Sequence, residues 1–182
     1  KWLDGGGLYR RTAIDSVGYL SNRNLHAYEE KELGLRLRHA GWHMYRLGIV
    51  AVDHYGHTAN TVNLLWRRWR SGYADACGES LRACVGKPYF WEMLAVHKAI
   101  AISLVIQIAI FFSIFAFPNS RLAFAATVLV LASAFGVQVV RKKSAANALH
   151  SIMHLNVFAV GMARGIFKKP QNPNALIASN IW

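Results

Sequence analysis

The sequence predicts a mixed helix-and-strand globular part followed by an α-helical membrane hairpin. Three observations carry that reading. All nine Asp and Glu residues lie between Asp4 and Glu92, and beyond Glu92 eight Lys and Arg residues stand without any acidic side chain. Two nineteen-residue runs, 99–117 and 122–140, contain no Asp, Glu, Lys or Arg. At about 1.5 Å per residue each is long enough to cross a hydrocarbon core. Between residues 29 and 52, a helix-type pattern gives way to β-branched and aromatic residues in partial alternation. The boundaries that follow are 1–92 for the globular part, 93–143 for a hairpin with spans near 94–117 and 122–140, and 144–182 for a last helix and tail.

Taken in order, the chain opens on Lys1-Trp2-Leu3-Asp4 and reads as a fragment that begins inside a longer protein. Gly5-Gly6-Gly7 then allows unusual backbone angles or close approach of a ligand to the main chain. Residues 12–17 fit a short helix, with Thr12 as N-cap and Gly18 at its end. Residues 29–40 fit a second helix, stopped by Gly41. Residues 42–52 read as a strand pair or a bent strand, and 53–57 as a loop. Residues 64–84 form a basic amphipathic helix or helix pair carrying Trp66, Trp69 and Tyr73, broken at Gly86-Lys87-Pro88. Pro118-Asn119-Ser120-Arg121 is the polar turn of the hairpin. Residues 144–167 place Asn147, His150, Ser151, His154, Gly161, Arg164 and Lys168 on one stripe. Such a helix either lies in the interface, the favoured reading, or forms a third span with its polar face against neighbours.

The formal net charge of +12 raises nucleic acid as a partner. The cations, however, cluster beside apolar runs, at 67–82, 141–143 and 168–169, where anionic headgroups are the commoner partner. A nucleic-acid partner is therefore not expected. Membrane lipids are. By the positive-inside rule the face holding 67–98 and 141–143 is cytoplasmic, which leaves Asn119 outside. Cys77 and Cys84 have neither metal-ligand nor disulfide-framework spacing and read as free thiols.

The strongest local signal is Glu29-Glu30-Lys31-Glu32-Leu33-Gly34-Leu35-Arg36-Leu37-Arg38-His39-Ala40-Gly41-Trp42. Carboxylates at a helix start complement the macrodipole on any helix. They also supply what a displacement reaction needs, a base for an attacking hydroxyl. Lys31, Arg36 and Arg38 are expected to keep such a base ionised, with Glu32 a bystander one turn further on.

Together with Gly5-Gly6-Gly7-Leu8-Tyr9-Arg10-Arg11 upstream and Asp53-His54-Tyr55-Gly56-His57 downstream, this string resembles the C-terminal half of family 2 glycosyltransferases. The resemblance covers residues 1–86. It implies the α/β GT-A fold, and an enzyme of hexosyltransferase type that joins a sugar from a nucleotide-diphospho-sugar to a lipid-linked or surface-glycan acceptor, with inversion. It further implies Glu30 as the general base beside Glu29, sugar-site roles for Gly5, Gly6, Gly7 and Trp42, and His54 near the diphosphate and its metal, with His57 as the alternative. The metal is Mn²⁺ or Mg²⁺, its main carboxylate ligands expected in a nucleotide-binding half upstream of Lys1, without which the fragment should be inactive. Arg67, Arg68, Trp69 and Arg70 occupy the place of the QxxRW motif of cellulose and hyaluronan synthases. Leu65 stands where that motif has Gln, which speaks against a processive polymerase, and Glu30 stands where many members have Asp. The arginines and tryptophans of 66–70 suit either a diphosphate and a sugar face or a headgroup layer. The setting implied is a multi-pass protein of a bacterial-type inner membrane, serving cell-envelope polysaccharide synthesis. A non-catalytic membrane-anchoring or assembly module is the rival reading. A metal hydrolase built on His54, His57 and the Glu pair is weaker, because no HExxH-type spacing is present.

Overall fold

The structure, a computed structural model, describes residues 7–45, 48 and 60–173. Among the described residues eight α-helices follow one another: α1 (Arg11–Val17), α2 (Glu29–His39), α3 (Thr61–Arg70), α4 (Ala76–Cys84), α5 (Phe90–Val96), α6 (Lys98–Ala116), α7 (Arg121–Lys142) and α8 (Ala145–Phe167), with a 3₁₀ turn, Tyr73–Asp75, leading into α4. No β-strand occurs among the described residues, so the expected α/β class, and with it a GT-A domain, is not what they form.

The physical reason is visible where the first strand was expected. A strand is stable only when another strand completes its ladder. Trp42 instead turns back onto the helix it has just left. Its backbone N–H bonds to Leu37 O at 3.0 Å and that of Gly41 to Arg38 O at 3.1 Å, with Gly41 at φ 85. This is a Schellman C-cap, which uses the main-chain donors a ladder would need. The Trp42 indole donates to Ser16 Oγ at 2.9 Å and packs beside Ala13, Leu33 and Leu37, so the residue locks α2 to α1. Residues 43–45 have no regular structure, and the rest of the expected strand, apart from Gly48, lies outside the described residues, as does the 53–57 loop.

The helix ends follow local chemistry. Gly18, at φ 92, ends α1 as expected. Thr12 does not cap it, because the helix starts one residue earlier, behind Arg10. The side chains of Asn60, Ser120 and Ser144 accept from the N–H three residues on and start α3, α7 and α8.

The main core joins Leu35 of α2, Leu65 of α3, Cys77 and Leu81 of α4, Met93 of α5 and Phe158 of α8. Both cysteines are free and buried. Helices α6 and α7 are long and apolar enough to cross a membrane, and almost none of their residues is fully buried by the rest of the chain. Ile102, Val105, Phe112, Leu129 and Leu131 are among their exposed side chains.

Helix α8 holds the two parts together. It packs on α6 and α7, on α3, and above all on α4 and the turn before it. Its polar stripe is divided among these neighbours. Asn156 accepts from Gln107 of α6 at 2.7 Å, and Ser151 donates to Gln138 of α7 at 3.4 Å. Towards its C-terminus backbone meets backbone. A Cβ on Gly161 would stand 2.4 Å from Ala74 O, one on Gly165 2.1 Å from Asp75 O, and one on Gly78 of α4 2.0 Å from Met162 O. Only glycine allows this approach.

Candidate functional site

Two clefts gather the chemistry-bearing side chains. The first, about 300 Å³, lies at the start of α2 and is lined by Gly7, Tyr9, Leu20, Ser21, Glu29, Glu30 and Leu33. Gly7 and the acidic pair, apart in sequence, thus meet in one place. Tyr9 folds back over Gly7, its phenol oxygen 2.9 Å from the point a Cβ on Gly7 would occupy, so an alanine there would collide with the ring. Burial, and then the negative charge of Glu30, raise the Tyr9 phenol above its ordinary value, which keeps it a hydrogen donor. Glu29 and Glu30 are half-buried, and Oε2 of Glu29 is buried without a hydrogen-bond partner. An ionised carboxylate oxygen in that state attracts a donor from a ligand.

The cations expected to serve Glu30 are engaged elsewhere. Arg36 donates Nε to both oxygens of Glu32 at 2.8 and 2.9 Å, gives Nη1 to Val17 O and Tyr19 O, and lies 3.7 Å over the Tyr19 ring. Arg38 pairs with Glu92 of α5, which also meets His39 Nε2 at 2.7 Å. The Lys31 ammonium sits over the Tyr28 ring at 5.7 Å. Glu32 is therefore no bystander but a buried member of an ion pair. Burial raises its carboxyl above the ordinary range, against the opposing pull of Arg36.

The second cleft, about 520 Å³, is lined by His26, Trp66, Trp69, Arg70, Ser71, Gly72, Asp75, Arg164 and Lys168. Its floor is an ion cluster invisible in the sequence. Asp75 and Glu79, one turn apart and each 1 % exposed, receive Arg164 on Asp75 at 2.6 Å and Lys168 on both, at 2.6 and 2.9 Å. His26 presents Nδ1 and its backbone N–H to Glu79 at 2.9 and 3.1 Å. Arg164 also lies 3.9 Å over the Trp69 ring. The only signal for this cluster was the matching four-residue spacing of 75/79 and 164/168, and nothing in the sequence pairs segments 89 residues apart.

Of the expected site residues, Gly7, Glu29 and Glu30 share the first cleft, and Trp69 and Arg70 line the second. Arg68 lies 5.1 Å over the Tyr73 ring and Arg67 faces outward, neither lining a cleft. Trp42 lines neither and is tied to α1. Gly5, Gly6, His54 and His57 lie outside the described residues. No three His, Cys, Asp or Glu side chains among the described residues converge in a way that could hold a metal ion, so these residues do not by themselves fit the expected Mn²⁺ or Mg²⁺. Tyr9, Ser21 and His26 are cleft residues that sequence reasoning missed. No family model, curated protein or solved structure matches the chain.

Proposed function

We propose that this chain belongs to a membrane-bound glycosyltransferase that moves a sugar from a nucleotide-diphospho-sugar to a hydroxyl of a lipid-linked or surface-glycan acceptor. The observation that supports it is the meeting of Gly7, Tyr9, Glu29 and Glu30 on one cleft, with one buried Glu29 oxygen left for a ligand's hydrogen. In this reading Glu30 takes the proton of the acceptor hydroxyl while that oxygen bonds to the anomeric carbon and the bond to the diphosphate breaks, with inversion. Glu29 accepts a hydrogen bond from a second sugar hydroxyl, and the N-terminal end of α2 suits acidic side chains. The nucleotide and its divalent metal are assigned to residues beyond those described, with His54 this chain's candidate. The proposal rests on the cleft and not on a fold class.

In the full-length protein, Glu30→Gln should slow transfer by about a hundred- to ten-thousand-fold. Donor binding and melting temperature should hardly change, because a helix-end charge contributes only about 0.3–1 kcal/mol. Glu30→Asp should keep part of the activity. A Glu30→Gln enzyme running above roughly a tenth of the wild-type rate would remove the base from the proposal, since general bases contribute far more. The rival, a non-catalytic anchoring or assembly module, is favoured by the role of α8 as the shared partner of α4, α6 and α7. It expects no transferase activity from either form.

The proposed topology is two spans, α6 and α7, with Lys87 and Arg141 on the cytoplasmic side and Asn119 outside. A cysteine at Asn119 should react with an impermeant thiol reagent in intact cells. Reaction only after permeabilisation would reverse the orientation.

A further inference from the structure

We propose that the outer face of α3 is a docking surface for anionic phospholipid headgroups. On this helix Leu65 turns inward onto the core, Arg67 and Arg70 stand away from it, and Val62 and Trp66, four residues apart, form an exposed flank beside them. Val62 is 54 % and Trp66 60 % exposed, and Arg67 and Arg70 are exposed beside them. The Arg70 guanidinium lies 6.0 Å from the Trp66 ring, and Tyr73, partly exposed with Arg68 over its ring, extends the stripe beyond the helix end.

The charges on this face are uncompensated. Among the described residues Arg36, Arg38, Arg164 and Lys168 each face a carboxylate, whereas Arg67, Arg68 and Arg70 form no ion pair. Two exposed like charges, Arg67 and Arg70, left without counter-charges and set beside an exposed indole, are complementary to a surface that is anionic and apolar at adjacent depths. A bilayer with acidic lipids has that profile, since guanidinium groups meet phosphates while indole and valine enter the carbonyl layer. Position agrees with charge. Helix α3 packs on α8, which also packs on α6 and α7, the two helices apolar enough to cross a membrane. The assignment is independent of the chemistry given to Glu30, and although Trp66 and Arg70 also line the second cleft, the surface extends beyond it to Val62 and Arg67, which do not.

The test is a nitroxide at Val62→Cys in the whole chain, reconstituted in phosphatidylcholine vesicles with or without phosphatidylglycerol. Cys77 and Cys84 need not be removed. Both are buried, and burial pushes their thiols up to about 11 and about 12, so neither reacts at neutral pH. A label at Leu8→Cys, 98 % exposed, gives the water-facing reference. With phosphatidylglycerol, the ratio of oxygen to nickel-chelate accessibility at position 62 should exceed that at position 8 several-fold. It should fall towards the reference in Arg67→Gln/Arg70→Gln, whose side chains are exposed and leave the fold intact, and in high salt. Equal accessibility at 62 and 8 in both vesicle types overturns the proposal. So does shielding that survives loss of both arginines, and so does shielding that soluble glycerol 3-phosphate reverses, which marks a site for a free phosphate ester.

Discussion

Glu29–Glu30 and Asp75–Glu79 are both acidic pairs at a helix start, and their surroundings are opposite. The first pair is half-buried in an open cleft, has one buried oxygen without a partner, and has lost its neighbouring cations to Glu32, Glu92 and an aromatic ring. The second is almost wholly buried and is met by Arg164, Lys168 and His26, and its one oxygen without a hydrogen bond, Asp75 Oδ2, faces the Lys168 ammonium at 2.6 Å. A buried carboxylate costs several kcal/mol in lost hydration, about as much as close ion pairs and hydrogen bonds return. Asp75 and Glu79 meet that requirement inside the protein and so fasten α8 to α4. Glu29 and Glu30 do not, and their unmet hydrogen-bonding capacity is what a ligand can use.

The comparison breaks most readily at Glu32. Both it and Arg36 are buried, so Glu32→Ala leaves a guanidinium without its counter-charge, and we expect a loss of about 3–5 kcal/mol. Thermal melting in detergent measures it. A loss comparable to that of a surface change would mean that the α2 cations are free to serve Glu30 after all. Lys168→Met tests the other pair. Lys168 is 36 % exposed but its partners are not, so the variant should cost about 1.5–3 kcal/mol, the range of hydrogen bonds to charged groups. It should leave Glu30-dependent transfer kinetics unchanged in whatever fraction remains folded.

Gly165→Ala sharpens the same contrast through packing rather than charge. Its new methyl would stand 2.1 Å from the Asp75 carbonyl, so α8 must lift from α4, at about 1–3 kcal/mol. Because the same movement strains the Lys168 ion pairs, the Gly165→Ala/Lys168→Met double variant should lose less than the sum of the two.

The smallest effect concerns Glu92, which ties α2 to α5. Hydrogen bonding from His39, and then the Arg38 charge, hold its carboxyl below its ordinary value of 4.5. A depressed carboxyl stabilises the fold above its unfolded pKa and loses that contribution as pH falls through the folded one. The melting temperatures of wild type and Glu92→Gln should therefore differ at neutral pH and converge in acid below 4.5. Solvent reaches this pair, so the difference should stay under about 1 kcal/mol.

Much of this was legible locally. The helix 29–40 was readable because a first turn of carboxylates, a leucine-rich interior and Gly41 all obey rules that operate within one or two turns. The two apolar runs were readable because spanning length is a property of consecutive residues. Gly7 could be linked with Glu29 and Glu30 because a string of motifs carried them together, and the first cleft does bring them side by side. The strand at 42–52 misled because alternation records a preference and not a partner. Its described start was taken by a C-cap and by the indole of Trp42.

The sequence by itself determined the helix at 29–40 and its stop at Gly41, which two segments suit a bilayer, and which residues carry titratable chemistry, since each depends on short-range pattern and composition. Only the tertiary structure decided which charges are spent and which remain. That Lys168 serves Asp75 and Glu79, and that Arg67, Arg68 and Arg70 serve no carboxylate among the described residues, could not be read along the chain, whereas the Glu32–Arg36 pair follows from four-residue spacing on one helix. An ion pair forms at about 4 Å through space, and its worth depends on how much water is excluded there. For Asp75, Glu79, Arg164 and Lys168 both are set by how α8 packs against α4 and the turn before it through Gly78, Gly161 and Gly165.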